Sequence, residues 1–371
     1  MAEAKTAARQ ASGNPRGAAA EERLHGIAGE KALELLRSML FFRRFEEKAE
    51  EAYAIGKIGG FCHLHIGQEA AAAGAILPLR EDDWVISAYR EHTQALAKGV
   101  DPKRIMAELY GRRDGTSGGK GGSMHIFDAS RCFMGGHGIV GAQVPLATGM
   151  AFAAKYRGED RICVCFMGDA AVNQGGFHEA LNMAAIWSLP VIFVVENNEY
   201  GMGTRFSRVS ATTIEERACA YGIPAHAVNG QDVLETFGTF SALAEKVRGG
   251  EGPQYVDVRT YRFRGHSMSD PVSGTYRSKE EVEQHKRESD PIALLRDTLI
   301  ELELLTRENL EAIDAEIKET VEEVAEFADK SPFPDESSLY RHVYAELTEH
   351  GRLFFDGRGD APGGAGAGEE G

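Results

Sequence analysis

Short apolar runs rich in valine and isoleucine recur along this chain with helical stretches between them, and this alternation restricts the fold more than any other feature. Trp84 to Tyr89, Ile162 to Met167, Val191 to Glu196 and Tyr255 to Tyr261 each have strand length and little polar content. Strands that are apolar on both sides must be covered on both sides, which requires crossover connections and an α/β fold with a doubly wound, mostly parallel sheet. Gly176 to Leu189 reads as the crossover helix between the second and third runs, with Phe177, Leu181, Ala184, Ala185 and Ile186 on its apolar side. Another helix starts near Pro145, and its Ala147, Gly149, Ala151, Ala153 and Ala154 predict close backbone approach and tight burial. Asp290 and Pro291 supply a cap and a first helical residue for a helical C-terminal region. There Leu310, Ile313, Ile317, Val321, Val324 and Phe327 keep helical spacing, while Glu311, Glu316, Glu319, Glu322, Glu323 and Glu326 form a solvated acidic face.

No internal repeat or sharp linker divides this pattern, so residues 23–350 are expected to form one domain. Residues 1–22 lack a hydrophobic period and residues 351–371 are rich in Gly, Ala and Glu, and both are expected to be disordered. The net charge of −16, with Lys and Arg scattered, excludes nucleic acid as an expected partner. The five cysteines, Cys62, Cys132, Cys163, Cys165 and Cys219, include no C-x-x-C pair and suggest neither a disulfide framework nor a zinc site. No run reaches the roughly 18 apolar residues of a membrane span. The N-terminus has no secretory apolar segment, and Glu3, Glu21 and Glu22 among Lys5, Arg9 and Arg16 argue against a transit peptide. An intracellular protein of a bacterial-type cytoplasm, rather than of the mitochondrial matrix, is the expectation.

Candidate chemistry sits where strands end. Gly168-Asp169-Ala170-Ala171 follows the second run directly; Asn197-Asn198 follows the third, Asn198 standing 29 residues after Asp169. In an open parallel sheet, ligands bind beyond the carboxyl ends of the strands. Neighbouring strands would deliver Asp169 and Asn198 to one place. A carboxylate plus an amide oxygen suits magnesium, which takes few protein ligands and completes its shell with phosphate oxygens and water. Taken singly, Asp169 is a helix cap and the Asn pair a turn. Taken together, with a strand before each and a helix between, they indicate a magnesium-bound diphosphate.

Other motifs compete less well. Gly136 to Gly141 satisfies G-x-G-x-x-G, but Ala129 to Met134, containing Ser130 and Arg131, predicts no strand before it, which disfavours a nicotinamide-dependent oxidoreductase. Gly119-Lys120 is no P-loop, since Asp114 stands where the first glycine belongs and Gly121 where Ser or Thr should bind magnesium. His63-Leu64-His65 lacks further clustered ligands, so a catalytic His63 is preferred to zinc.

The Gly-Asp motif, with Asn-Asn about thirty residues later, resembles the thiamine-diphosphate motif. The resemblance runs through residues 30–345. It is carried by Gly60-Phe61-Cys62-His63-Leu64, Ala88-Tyr89-Arg90, GGKGGSMH at 118–125, GIVGAQVP at 138–145, ENNEYGMG at 196–203 and YRFRGHSMSDP at 261–271. These segments are similar to those of α subunits of thiamine-diphosphate-dependent 2-oxo acid dehydrogenases, the pyruvate dehydrogenase decarboxylase component above all. The resemblance implies a thiamine-diphosphate-binding fold with Mg2+ on Asp169, Asn198 and the main-chain oxygen of Tyr200. By the same resemblance, Tyr89, Arg90 and His266 contact the diphosphate beside Ala170 and Ala171, and Gly138 and Val140 meet the aminopyrimidine through their backbones. His63 and His266 would lie nearest the substrate.

The implied reaction is oxidative decarboxylation of pyruvate, with the acetyl group passed to the lipoyl group of an acyltransferase component on the way to acetyl-CoA. The glutamate that activates the cofactor would come from a separate β subunit, in an assembly of paired α and β chains. Acetoin and branched-chain 2-oxo acid dehydrogenases are alternatives; Phe61 to Leu64 and the GHSMSDP segment favour pyruvate. One departure is Ala170, where the family motif has glycine. It would cost about 1–2 kcal/mol if its φ were positive and little otherwise, and it raises a catalytically weakened scaffold subunit as a further alternative. The polar stretch Arg264 to Ser278 is long enough to be functional and is expected to close over the cofactor. Within it Ser267 matches a serine phosphorylated in animal relatives, where a phosphate would repel the diphosphate.

Overall fold

The computed structural model describes residues 22–340. Apart from Glu22, the ends expected to be disordered lie outside the described residues, as do residues 341–350 of the expected domain. The strands are Trp84–Ala88 (β1), Phe133–His137 (β2), Cys163–Gly168 (β3), Val191–Asn197 (β4), Tyr200–Gly201 (β5), Thr204–Arg205 (β6), Ala225–Asn229 (β7) and Gln254–Arg259 (β8). Six of them form one sheet in the order β2-β1-β3-β4-β8-β7, parallel throughout, while β5 and β6 pair as a small antiparallel hairpin.

The apolar runs are continuous because successive side chains enter two different cores. Cys163, Cys165 and Met167 face the core built with helices Gln143–Arg157, Gly175–Ile186 and Ile214–Cys219. Val164 and Phe166 face the larger core, which includes helices Gly29–Ala54, Glu69–Ile76, Val233–Arg248 and Arg307–Lys330. Helix Pro291–Glu301 starts as its sequence predicts, with the Asp290 carboxylate accepting the Ile292 N–H at 3.0 Å. In helix Arg307–Lys330 the six glutamates expected on the wet side are all exposed, while Ile317, Val321 and Val324 are buried. No described helix is long and apolar enough to cross a membrane.

Three expectations need correction. Strands β2 and β7 were not predicted: β2 reads Phe-Met-Gly-Gly-His and β7 Ala-His-Ala-Val-Asn, and neither has the β-branched character that marks the others. Helix Gln143–Arg157 is not tightly buried. Ala147, Ala151 and Ala154 pack inward, but Leu146, Gly149, Phe152 and Tyr156 are exposed on its opposite side. Crossover helix Gly175–Ile186 likewise turns Ile186 outward, and with Met183 and Trp187 it extends the same apolar face; the Phe152 and Trp187 rings lie 5.3 Å apart.

After β1 the chain moves to one side to form β2 and then returns to the other side for β3. The crevice between the carboxyl ends of β1 and β3 is therefore the switch point where an open sheet binds its ligand.

Candidate active site

Each strand end near the switch point delivers part of the site. Tyr89 and Arg90 follow β1, Gly138 and Val140 follow β2, Asp169 to Ala171 follow β3, and Asn198 and Tyr200 follow β4. His63 and His266 come from irregular segments. All eleven of these residues line one cavity of about 630 Å³.

The charges of the cavity do not pair with each other. Asp169 is 2% exposed, its Oδ2 has no hydrogen-bond partner, and burial pushes its carboxyl up to about 6. Arg90, which lines the same cavity, is buried and donates only to two carbonyls, Leu64 O at 2.6 Å and His266 O at 2.7 Å. Burial, with the charge of Arg262 added, pushes Arg90 down to about 10. Arg262 is 1% exposed; its partners are Arg264 O, Met202 O and the Tyr276 hydroxyl, and burial lowers its pKa as well. A buried carboxylate with a free oxygen is half of a cation site, and two guanidinium groups without a carboxylate form an anion site. The arrangement fits a metal ion bound to an anion.

The donors beside Asp169 could hold a metal ion together with that anion. Asn198 donates from Nδ2 to Gln68 Oε1 at 3.1 Å, which fixes the amide and turns its oxygen away from Gln68. The turn after β4 is tight: Glu199 and Met202 hold φ of 67° and 55°, in a region that costs a non-glycine residue about 1–2 kcal/mol. Such strain concentrates at functional sites. Ala170 is free of it. It lies in the 3-10 turn Asp169–Asn173 and is absent from the positive-φ residues, so the methyl group fits. Gly201 makes the space, since a Cβ there would stand 2.7 Å from that of Ala170.

Three rings cluster along the cavity wall. His63 lies 4.6 Å from Tyr89 and 5.1 Å from His266, between centroids. Burial first, and the Arg90 charge next, push His63 down to about 2 and His266 down to about 3, so both imidazoles are neutral at neutral pH. Each has a buried Nδ1 without a partner. His65, by contrast, points into the protein, with Nδ1 2.7 Å from Thr93 Oγ1 and Nε2 2.9 Å from Glu196 Oε1. His63 and His65 therefore cannot share a metal. Among the described residues no group of three or more His, Cys, Asp or Glu could hold one.

Residues 37–337 match the family described as Dehydrogenase E1 component. The chain belongs to this family. It is 50% identical over 315 residues to the pyruvate dehydrogenase E1 component subunit alpha of Rhizobium meliloti, covering 85% of this chain and 90% of the relative. The protein of the same name from Rickettsia felis is 48% identical over 316 residues, 85% and 96% of the two chains. A testis-specific mitochondrial form of Rattus norvegicus is 44% identical over 318 residues, 86% and 80%.

Within this E1 chain, the ground for setting aside the G-x-G-x-x-G motif needs revision. A strand does precede it, because Gly136 and His137 end β2. The motif is unsuited to a dinucleotide for a different reason. β2 is an edge strand, and a Cβ on Gly136 would lie 1.9 Å from Glu91 Oε1, so this glycine gives way to a side chain and not to a diphosphate.

Glu91 itself gives a test. Its Oε1 accepts the Ile126 N–H at 3.1 Å, Oε2 has no partner, and burial pushes the acid from its ordinary 4.5 up to about 8. A folded-state pKa above the unfolded one means that its contribution is full below pH 4.5 and is lost as pH rises towards 8. Glu91→Gln is thus expected to melt increasingly above the parent as pH rises through that window. Parallel melting curves would show that Glu91 ionises without penalty.

The long segment after β8 borders the cavity with His266, Ser267, Ser269 and Asp270. It is stitched to itself and to its base: Asp270 Oδ2 accepts from the His266 N–H at 2.7 Å, Arg277 donates to Arg262 O at 2.7 Å, and Met268 N donates to Cys62 O at 2.9 Å. Ser267 is 7% exposed and its Oγ lies 3.0 Å from that of Ser269, so a kinase would need this segment to lift. Gln68, Arg262 and Glu196 line the cavity without having been singled out in the sequence. Glu196 and Arg262 stand inside ENNEYGMG and YRFRGHSMSDP, which mark the segments without marking these side chains, while Gln68 stands outside every such segment.

Proposed function

We propose that this chain is the α subunit of a pyruvate dehydrogenase (acetyl-transferring) that uses thiamine diphosphate and Mg2+. The observation that carries this is the presence in one cavity of charges that form no ion pair, Asp169 together with Arg90 and Arg262. Asp169, Asn198 and the Tyr200 carbonyl would hold the metal, and Arg90, Tyr89 and His266 the diphosphate, next to Ala170 and Ala171. Gly138 and Val140 would meet the aminopyrimidine. When bound, the cofactor supplies the electron sink for loss of carbon dioxide from a 2-oxo acid. The contribution of the chain is to orient it, to exclude water with the segment after β8, and to offer the free Nδ1 atoms of His63 and His266 for proton transfer.

A β subunit is the proposed partner. The carboxylates at the cavity are already engaged: Glu196 by His65 and Gln94, Asp270 by Tyr276 and the His266 N–H, and Asp169 by its role at the metal. None is left to activate the cofactor. Phe61, Ile139 and Met202 are 61%, 76% and 63% exposed, and the first and last border the cavity itself. This apolar rim, together with the face around Phe152 and Trp187, suits coverage by another chain. Its product would pass to the lipoyl group of an acyltransferase component. All five cysteines are free, which agrees with a reducing cytoplasm.

The test is reconstitution with a β chain and comparison of pyruvate, branched-chain 2-oxo acids and acetoin as substrates. Pyruvate is expected to be turned over fastest, and the α chain alone is expected to be inactive. Full-rate decarboxylation by the isolated chain would overturn the assignment, and absence of calorimetric heat with magnesium thiamine diphosphate on the complex would favour a scaffold.

A further inference from the structure

The segment that carries His63 is anchored from behind by a polar network that does not border the cavity. Glu46, His92 and Ser123 are 0%, 0% and 3% exposed. His92 Nδ1 lies 2.8 Å from Glu46 Oε2, and its Nε2 lies 2.8 Å from Ser123 Oγ. The Ser123 hydroxyl accepts the His63 N–H at 3.2 Å, and Glu46 Oε1 accepts the His65 N–H at 2.9 Å. Between these two, Leu64 O accepts from Arg90. Three consecutive residues outside any helix or strand thus have their backbone groups bound by buried side chains.

The anchors come from distant parts of the chain. Glu46 lies in helix Gly29–Ala54 and His92 opens helix His92–Ala97. Ser123 belongs to the glycine-rich loop, which is wrapped around the buried Glu108 carboxylate; Ser117, Gly119, Gly121 and Gly122 donate their N–H groups to it at 2.7, 2.9, 2.6 and 3.1 Å. Burying Glu46 and His92 entirely carries a desolvation penalty that an apolar core would avoid, and a fixed direction for the backbone is what the pair provides in return.

We propose that Glu46, His92 and Ser123 are positioning residues that set the His63 imidazole against Tyr89 and His266. The proposal rests on the placing of His63 beside the substrate. Without the Ser123 hydroxyl, the His63 N–H loses its partner and His92 Nε2 keeps only the longer contact to Ser123 O at 3.2 Å, so the segment is free to shift. A displacement of about 1 Å near a reacting centre lowers rate by about 100-fold.

The test is a double-mutant cycle in the reconstituted αβ enzyme. Ser123→Ala is expected to lower kcat by about 10–100-fold while the calorimetric affinity for magnesium thiamine diphosphate stays unchanged. On a His63→Ala background the same substitution should cost nothing more, because the residue acts through His63. Glu46→Gln keeps an acceptor for the His65 N–H but removes the carboxylate that faces His92 Nδ1, and it should follow the same pattern. If it fails to assemble, Ser123→Ala, which removes one hydroxyl, carries the test alone. Losses that add on the His63→Ala background, or wild-type kcat in Ser123→Ala, would overturn the positioning role. Full kcat in His63→Ala would instead remove the placing of His63, and the proposal with it.

Discussion

Exchanging Asp169 for asparagine is expected to lower turnover and magnesium thiamine diphosphate affinity of the assembled enzyme by more than about 100-fold, since even outer partners of metal ligands account for 10–100-fold. The melting temperature of the unloaded complex is expected to stay level or rise. Asp169 Oδ2 is buried without a partner, and its surroundings disfavour the ionised form. A neutral amide of the same shape relieves that penalty, which is the usual relation between stability and a charged site held ready for its ligand. A merely structural aspartate would give the opposite pair of results, a lower melting temperature with affinity intact. Scanning fluorimetry and calorimetry on one variant separate the two.

Arg90→Lys is expected to weaken cofactor binding by about 10–100-fold, because a hydrogen bond made by a charged group contributes about 1.5–3 kcal/mol. The positive charge would remain, so the loss would report geometry. Arg90 reaches Leu64 O with one nitrogen and His266 O with the other, and so ties together the two segments that carry the histidines. A lysine offers a single point charge and cannot span both. Calorimetric titration of the complex gives the answer, and wild-type affinity would mean that Arg90 acts through charge alone.

Much of this site could be read without coordinates because its signals are local. Asp169 and Asn198 each follow an apolar strand in the sequence, and the sheet geometry brings strand ends together. Strand β2 could not be read that way, since its two glycines give it no propensity and its pairing with β1 is a tertiary effect. Arg262 was missed for a related reason: its importance is the lack of a carboxylate partner, which is a property of space. The helix after β2 misled in another way. Its alanines are buried as expected, but Leu146, Phe152 and Tyr156 share its composition while facing outward, and an apolar pattern does not distinguish the interior of a chain from a surface that another chain covers.

The unmet charges of the cavity also bear on how a cell would register vitamin supply. A ligand that binds only the folded state adds about 4 kcal/mol when it is present at a thousand times its dissociation constant. Without it, Arg90 and Arg262 repel each other inside the protein and Asp169 Oδ2 has no hydrogen-bond partner. Thiamine starvation is therefore expected to shorten the lifetime of the protein as well as to idle it, and recovery after starvation would wait on new synthesis.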